Sequence, residues 1–311
     1  MKAAQINEYG GNEVLKTVND APKPTAGEGQ VLVEVYAAGV NPFDWKVRQG
    51  FMKDFVPLKF PATLGGDFAG VVAEVGSGAA GVKVGDEVYG QANAAGGQGS
   101  FAEFTPVIAS QVAQKPKSLD FTVASAVPLA AASAYQALVE HSNLQSSQKV
   151  LIHGGAGGIG SFAIQIAKHL GAFVATTSSA EDTDFVKSLG ADQVIDYKTQ
   201  KFEELLKDYD VVFDTVGGDT TTKSFLVLKS GGVLVSMAGQ PDEKLATQKG
   251  VKAIGQGTKP TTDKLQKIAE LIDQGALKVN IDKVFPLDQA ADALGYLKEA
   301  HPRGKVVIKI K

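Results

Sequence analysis

The sequence predicts an α/β chain in two parts: a β-rich front module, then a doubly wound parallel sheet of six strands. Three observations predict it. Short β-like runs cut by glycine and proline extend from Lys2 to about Ala113; after about residue 149, strand-like and helix-like runs alternate; and the burst "GGAGGIG", Gly154 to Gly160, separates an apolar run from a helix-like segment. At 311 residues and 44% apolar content, the chain can bury the cores of two ordinary domains.

The front runs are "KAAQI", "QVLVEVYAAGV", "FAGVVAEVG", "DEVYG" and "SFAEFTPVIA", which read as an all-β module. After "QKPKSLDF" the texture changes, so the boundary is placed near residue 120. The alanine-rich "FTVASAVPLAAASAYQALVE" reads as one or two helices around Pro128. The six strand-like runs are "KVLIHG", "AFVATTS", "DQVIDY", "DVVFDTV", "GGVLVSM" and "KAIGQGT", and between the earlier ones lie the helix-like "SFAIQIAKHL", "DTDFVKSL" and "FEELLKDY". Beyond Pro260, "TTDKLQKIAELIDQGAL", "KVFPL", "DQAADALGYLKEA" and "GKVVIKI" form a tail too small for a domain of its own. It is expected to fold back on the front module, giving one domain from residues 1–120 with 261–311 and a second from 121–260.

The formal charge of −3 is spread without a basic block, so nothing supports a nucleic-acid partner or an anionic membrane surface. A small-molecule ligand is expected. No run reaches the length of a membrane span, and "MKAAQINEYGG" has neither the apolar stretch of a signal peptide nor a transit peptide's Arg/Ser bias, so the expected address is the cytosol. With no cysteine, disulfides, thiolate metal sites and cysteine nucleophiles are excluded together. The four histidines are His141, His153, His169 and His301, none in the first 140 residues.

Gly155, Gly157 and Gly160 spell GxGxxG directly after a strand and before a helix, the context that makes this motif informative. Gly155 is read as permitting the tight turn, Gly157 as admitting a pyrophosphate to the backbone amides, and Gly160 as letting helix and strand pack closely, with Ala156, Gly158 and Ile159 completing a dinucleotide-binding turn. At the end of the next strand an acid would grip the adenosine ribose of NAD. Here Thr176, Thr177, Ser178 and Ser179 stand instead, so NADPH is the expected cofactor and NADH the poorer fit. Only Arg48 and Arg303 occur in the chain, which leaves Ser178, Ser179, Tyr197 or a lysine to meet the 2′-phosphate. Tyr197 to Lys201 also matches the YxxxK pair of short-chain dehydrogenases, but it follows the glycines by only about 40 residues, at a strand end and behind a complete β module.

"AAGVNPFDWKVRQG", "FPATLGGDFAGVVAEVGSGAAGVKVGDEVYG", "GAGGIG", "SLGADQVIDY" and "LDQAADAL…PRGKVVI", in this order, resemble the medium-chain dehydrogenase/reductase superfamily over essentially the whole chain. The resemblance implies a GroES-like catalytic domain and a Rossmann domain. Zinc enzymes of that superfamily carry Cys near the position of Asn41 and Gly-His-Glu where this chain has Gly65-Gly66-Asp67, so no tetrahedral zinc with N/S ligands is expected. The front segment is most similar to the zinc-independent quinone and enone oxidoreductases, which implies NADPH-dependent reduction of an α,β-unsaturated carbonyl or a quinone. Such chemistry requires alignment of the partners and donors aimed at the developing oxyanion.

The resemblance places "NPFDWK" beside the nicotinamide and makes Asn41, Asp44 and Lys46 the catalytic candidates. Asn41, Pro42, Asp44 and Gly50 also fit a plain capping reading: N-cap, first helical residue, capping box and stop. Lys46 and Met52 stand where better-known quinone oxidoreductases often have Tyr; the Lys46 ammonium either meets the nicotinamide ribose, meets enolate charge or is solvated. Trp45 and Phe51 either wall an apolar pocket or join the core. Ser133 aligns with a family Thr near the nicotinamide carboxamide, Val216 and Gly217 lie in a family-like "DTVGG" turn, and Ala238 and Gly239 lie in "SMAG", which follows the fifth strand. His153 reads as structural, Tyr135 as core. Loops 51–60 and 92–99 are expected to shape the substrate pocket. Two other readings stay open: one-electron quinone reduction, and a dinucleotide-binding protein with a structural or regulatory role. "VKAIGQGT", as an edge strand, would pair with its copy in a homodimer.

Overall fold

The computed structural model describes residues 1–55 and 57–311; Val56, in the predicted pocket loop 51–60, lies outside the described residues, as does the side chain of Ala95 in loop 92–99. The chain divides into one unit of Met1–Ala132, Pro260–Gln274 and Ile281–Lys311, and a second of Ser133–Lys259 and Gly275–Asn280.

The front of the first unit contains strands β1 (Ala3–Ile6), β2 (Lys16–Val18) and β3 (Gln30–Val40), helix α1 (Pro42–Arg48), then β4 (Ala62–Thr63), β5 (Asp67–Val75), β6 (Glu87–Gln91), β7 (Phe104–Ile108) and β8 (Val112–Gln114). In β3, Val31, Val33 and Val35 alternate into one core with Phe68, Val72, Val88, Val107 and Val112. A register shift against β5 between Val35 and Ala37 then turns Ala38 and Val40 into a second core, with Leu64, Phe101 and Leu294. Pro128 splits the alanine-rich stretch into the short helices α2 (Phe121–Ala124) and α3 (Pro128–Tyr135).

The second unit carries β9 (Lys149–His153), α4 (Gly158–His169), β10 (Phe173–Ser178), β11 (Gln193–Asp196), β12 (Tyr209–Asp214), β13 (Leu228–Ser236) and β14 (Lys252–Gly255). All pairings are parallel, in the order β11-β10-β9-β12-β13-β14. Each of the six runs read as strands is a strand. The stretch "FEELLKDY" yields only Phe202–Leu205, because Leu206 is already extended and Asp208 takes a left-handed φ of 60°. The helical turns Asp219–Ser224 and Glu243–Lys249 carry no apolar periodicity and escaped the sequence reading. β14 is an edge strand.

The tail supplies helix Thr262–Asp273, strand β15 (Ile281–Pro286), helix Ala290–Glu299 and strand β16 (Lys305–Lys309). β16 pairs antiparallel with β3 and parallel with β15, so the last strand extends the large sheet of the first unit. No described helix is long and apolar enough to cross a membrane.

Candidate functional site

In the second unit the sheet reverses its order at β9, which is flanked by β10 and β12. Ligands of open α/β sheets bind beyond the strand carboxyl ends at such a switch. Here the glycine turn leaves β9. Its tight bend is made by Gly154, at φ +74°, and not by Gly155 as the motif reading had it. Gly155 serves closeness: a Cβ there would lie 2.1 Å from Thr176 Oγ1 on the neighbouring strand. Gly160 has the packing role predicted for it, since its Cβ would come within 2.2 Å of the Gly154 carbonyl oxygen. Gly157 is the N-cap of α4, and its Cβ would meet nothing nearer than that same oxygen, at 3.4 Å. Ala156, Gly158 and Ile159 are half-buried along the turn. The first N–H groups of α4 have no partner within the helix, and the positive end of the helix dipole there suits a pyrophosphate.

The other strand ends complete the rim. Thr177 and Ser178 close β10, Ser179 follows it, and all three are buried. Their hydroxyls are spent locally: Ser178 Oγ donates to the Ser179 carbonyl at 3.1 Å, and Ser179 Oγ to Asp182 Oδ2 at 2.8 Å. Tyr197 is exposed, and the next residue, Lys198, places its ammonium 3.9 Å from Glu181, a cation near this strand end that the sequence reading did not single out. At the end of β12, the buried Asp214 accepts from the amides of Val216 (2.9 Å) and Gly217 (3.0 Å) and from the Thr221 hydroxyl, while Gly217 takes φ +90°. At the end of β13, Ser236 Oγ accepts from the Ala238 amide at 3.1 Å, and Gly239 has φ +123°. Ser133 Oγ lies 2.7 Å from Thr258 Oγ1, and Gln256 Nε2 donates to the Ser133 carbonyl.

In the first unit, α1 has an inner and an outer side. Inside, the Asn41 amide N–H donates to Asp44 Oδ2 at 2.8 Å, as in a capping box. The Asn41 side chain is committed elsewhere: Nδ2 donates to Asp67 Oδ2 at 3.0 Å, and Oδ1 accepts from Lys305 Nζ at 2.5 Å. Lys305 also donates to the Val40 carbonyl at 2.8 Å, and Asp67 accepts from the Leu129 amide at 3.1 Å. All four side chains are buried. Burial pushes the Asp44 carboxyl up to about 7, with the Asp67 charge adding to it. Burial likewise pushes Asp67 up to about 6, against the opposing Lys305 ammonium and Asn41 amide, and pushes Lys305 down. Neither Asp67 nor Lys305 was singled out as a site residue. The available signal was a charged residue inside the apolar runs "GGDFAGVV" and "GKVVI".

On the outer side, Lys46 is exposed, with its ammonium 5.7 Å from the centroid of the half-buried Trp45. Lys298 approaches the same ring at 5.3 Å, and Phe51, itself exposed, meets it edge-on at 6.1 Å. Trp45 packs against the core.

Two family profiles match the chain: "Alcohol dehydrogenase GroES-like domain" over residues 27–117 and "Zinc-binding dehydrogenase" over residues 189–308. Among the described residues, the zinc of the second description has no donor set. Asn41 and Asp67 are bound to each other, a buried ammonium already occupies Asn41 Oδ1, and no three His, Cys, Asp or Glu side chains converge among the described residues. The "2-methylene-furan-3-one reductase" of Solanum lycopersicum is 41% identical over 319 residues, covering 99% of this chain and 79% of that protein. The "NADPH-dependent alkenal/one oxidoreductase, chloroplastic" of Arabidopsis thaliana is 39% identical, with the same two coverages of 99% and 79%. The solved quinone oxidoreductase of Coxiella burnetii superposes with a TM-score of 0.91 at 34% identity, covering 100% of this chain and 99% of that one. With a GroES-like unit, a Rossmann sheet switching at its glycine turn and relatives matched over nearly the full chain, this protein belongs to the medium-chain dehydrogenase/reductase superfamily, in its quinone and enone oxidoreductase branch.

Proposed function

We propose that the protein is an NADPH-dependent reductase of the conjugated C=C bond of α,β-unsaturated carbonyls, or of quinones, working without a metal. The observation that carries this reading is the similarity to furanone and alkenal reductases, which covers 99% of the chain at about two residues in five. NADPH, when bound, supplies the hydride that adds to the β-carbon, and a proton completes the α-carbon. The turn Gly155–Gly160 with Ala156, Gly157, Gly158 and Ile159 is the proposed diphosphate site. Thr177, Ser178, Ser179 and Tyr197 frame the adenosine side, with Lys198 as the cation for the 2′-phosphate. Ser133, Val216, Gly217, Ala238 and Gly239 frame the remainder. The exposure of Lys46 supports it as the donor to the developing enolate oxygen. The burial of Asn41 and Asp44 supports a different part for them: they fix the first turn of α1 and so the place of Lys46. The edge position of β14 supports a homodimer built by pairing that strand with its copy.

The test is oxidation of NADPH and of NADH by the purified protein against small enones and quinones, with the products identified. A saturated ketone formed faster with NADPH supports the reading. A semiquinone radical points instead to one-electron quinone reduction. Tight NADPH binding with no turnover on any conjugated acceptor points to a binding protein.

A further inference from the structure

His153, the last residue of β9, is wholly buried, yet both of its ring nitrogens are engaged. Nε2 lies 3.1 Å from Ser224 Oγ and Nδ1 lies 3.2 Å from Thr177 Oγ1. The direction of each bond follows from the groups behind it. Ser224 Oγ spends its proton on the Thr220 carbonyl at 2.7 Å, so it accepts from the ring and Nε2 carries the hydrogen. Burial pushes the imidazole down to about 4, so the ring is neutral at physiological pH and Nδ1 is an acceptor. The Thr177 hydroxyl therefore donates to Nδ1, which leaves its lone pairs for the Gly154 N–H, 3.2 Å away.

That N–H belongs to the peptide joining His153 to Gly154, and the other side of the same peptide is held as well. The Thr215 hydroxyl, just beyond β12, donates to the His153 carbonyl at 2.7 Å. One peptide group is thus clamped between hydroxyls from the two strands flanking β9, at the bend where Gly154 turns left-handed. The Gly154 carbonyl in turn accepts from the Gly157 N-cap amide at 3.1 Å and backs against Gly160. A rotation of the clamped peptide would move the start of α4.

We propose that His153 is a positioning residue for the nucleotide: as its Nε2–H tautomer it aims the Thr177 hydroxyl at the 153–154 peptide and so sets the turn from which α4 presents its N-terminus. This rests on the reading that the turn holds NADPH. It also assigns the Thr177 hydroxyl to the inside of the protein, where it shapes the turn.

The test separates the two nitrogens. Asn at 153 offers an acceptor near the place of Nδ1 without a group at Nε2, and Gln reaches toward the place of Nε2 without one at Nδ1. Dissociation constants for NADPH are read from nicotinamide fluorescence, kcat and KM for NADPH from enone turnover, and Gly154 amide exchange by NMR in the nucleotide-free protein. His153→Gln and Thr177→Val should each raise the NADPH Kd and KM roughly tenfold, the loss of about one hydrogen bond. Their kcat should stay within about twofold, while Gly154 exchange should quicken roughly tenfold. His153→Asn and Thr177→Ser should remain within about threefold of the parent in all three. Equal losses in the Asn and Gln variants, or parental Kd and exchange in Thr177→Val, would overturn the proposal; Thr177→Val, which changes little volume, decides the matter if the Gln variant does not fold. A parental protein that binds no NADPH but keeps the predicted order of Gly154 exchange rates would sink the cofactor reading and leave the clamp standing.

Discussion

At Lys305 a buried ammonium donates to the Val40 carbonyl and to Asn41 Oδ1, close to the two buried carboxylates Asp44 and Asp67. Removing one member of such a set is costly because it strands the opposite charge. Lys305→Met should destabilise the protein by roughly 3–5 kcal/mol in urea unfolding. Adding Asp67→Asn should recover a substantial part of that loss. A double variant as unstable as the single one would mean that charge balance is not what Lys305 provides. The same cluster gives a pH dependence. Burial pushes Asp44 and Asp67 up to about 7 and about 6 in the folded chain from the ordinary 3.8, so between about pH 4 and 7 the native state holds protons that the unfolded chain has released. Their contribution to stability is therefore full below about pH 4 and is lost as the pH rises. His153 runs the other way: depressed from 6.5 to about 4, it contributes fully above 6.5 and loses its part as the pH falls. Asp44→Asn removes one of the opposing slopes. Relative to the parent, its stability should improve from pH 5 to pH 7 by up to about 1.4 kcal/mol per pH unit, measured by denaturation at stepped pH. A difference that does not change with pH would contradict the raised carboxyl.

Among the elements, α4 depends on an absent side chain at Gly160. A Cβ at Gly160 would lie 2.2 Å from the Gly154 carbonyl oxygen and 2.7 Å from the Gly155 Cα, both backbone atoms that cannot swing aside. Gly160→Ala should therefore push α4 off the turn. The expected result is a stability loss of roughly 1–3 kcal/mol by thermal unfolding, with NADPH affinity falling at least tenfold. Gly157→Ala is the useful control, because its Cβ would approach only one atom, at 3.4 Å. It should retain the fold, and any loss it shows in NADPH affinity measures crowding of the bound nucleotide at the turn. Loss of stability equal to that of Gly160→Ala would contradict this account of the two glycines.

For the whole molecule, the proposed pairing of β14 with its copy predicts a mass by light scattering near twice 32.4 kDa, and a single species at 32.4 kDa would remove it. At this scale the six strands of the Rossmann sheet were legible because apolar runs such as "VLI" and "VVF" must be buried on both faces, and burial of that kind leaves a continuous mark in the letters. The switch at β9 is fixed by the order in which the strands pair. What the letters withheld was every role defined by a neighbour distant in the chain. The left-handed bend fell to Gly154 because of hydroxyls at Thr177 and Thr215 and the approach of α4. Asp67 and Lys305 became partners of Asn41 because β16 lies beside β3 and β3 beside β5. The sequence by itself determined the class of each unit and the presence of a glycine turn between strand and helix, since hydrophobic period and glycine act over a few residues. Only the tertiary structure decided which side chains share a proton or a charge, since those energies depend on distances set by packing between strands far apart in sequence.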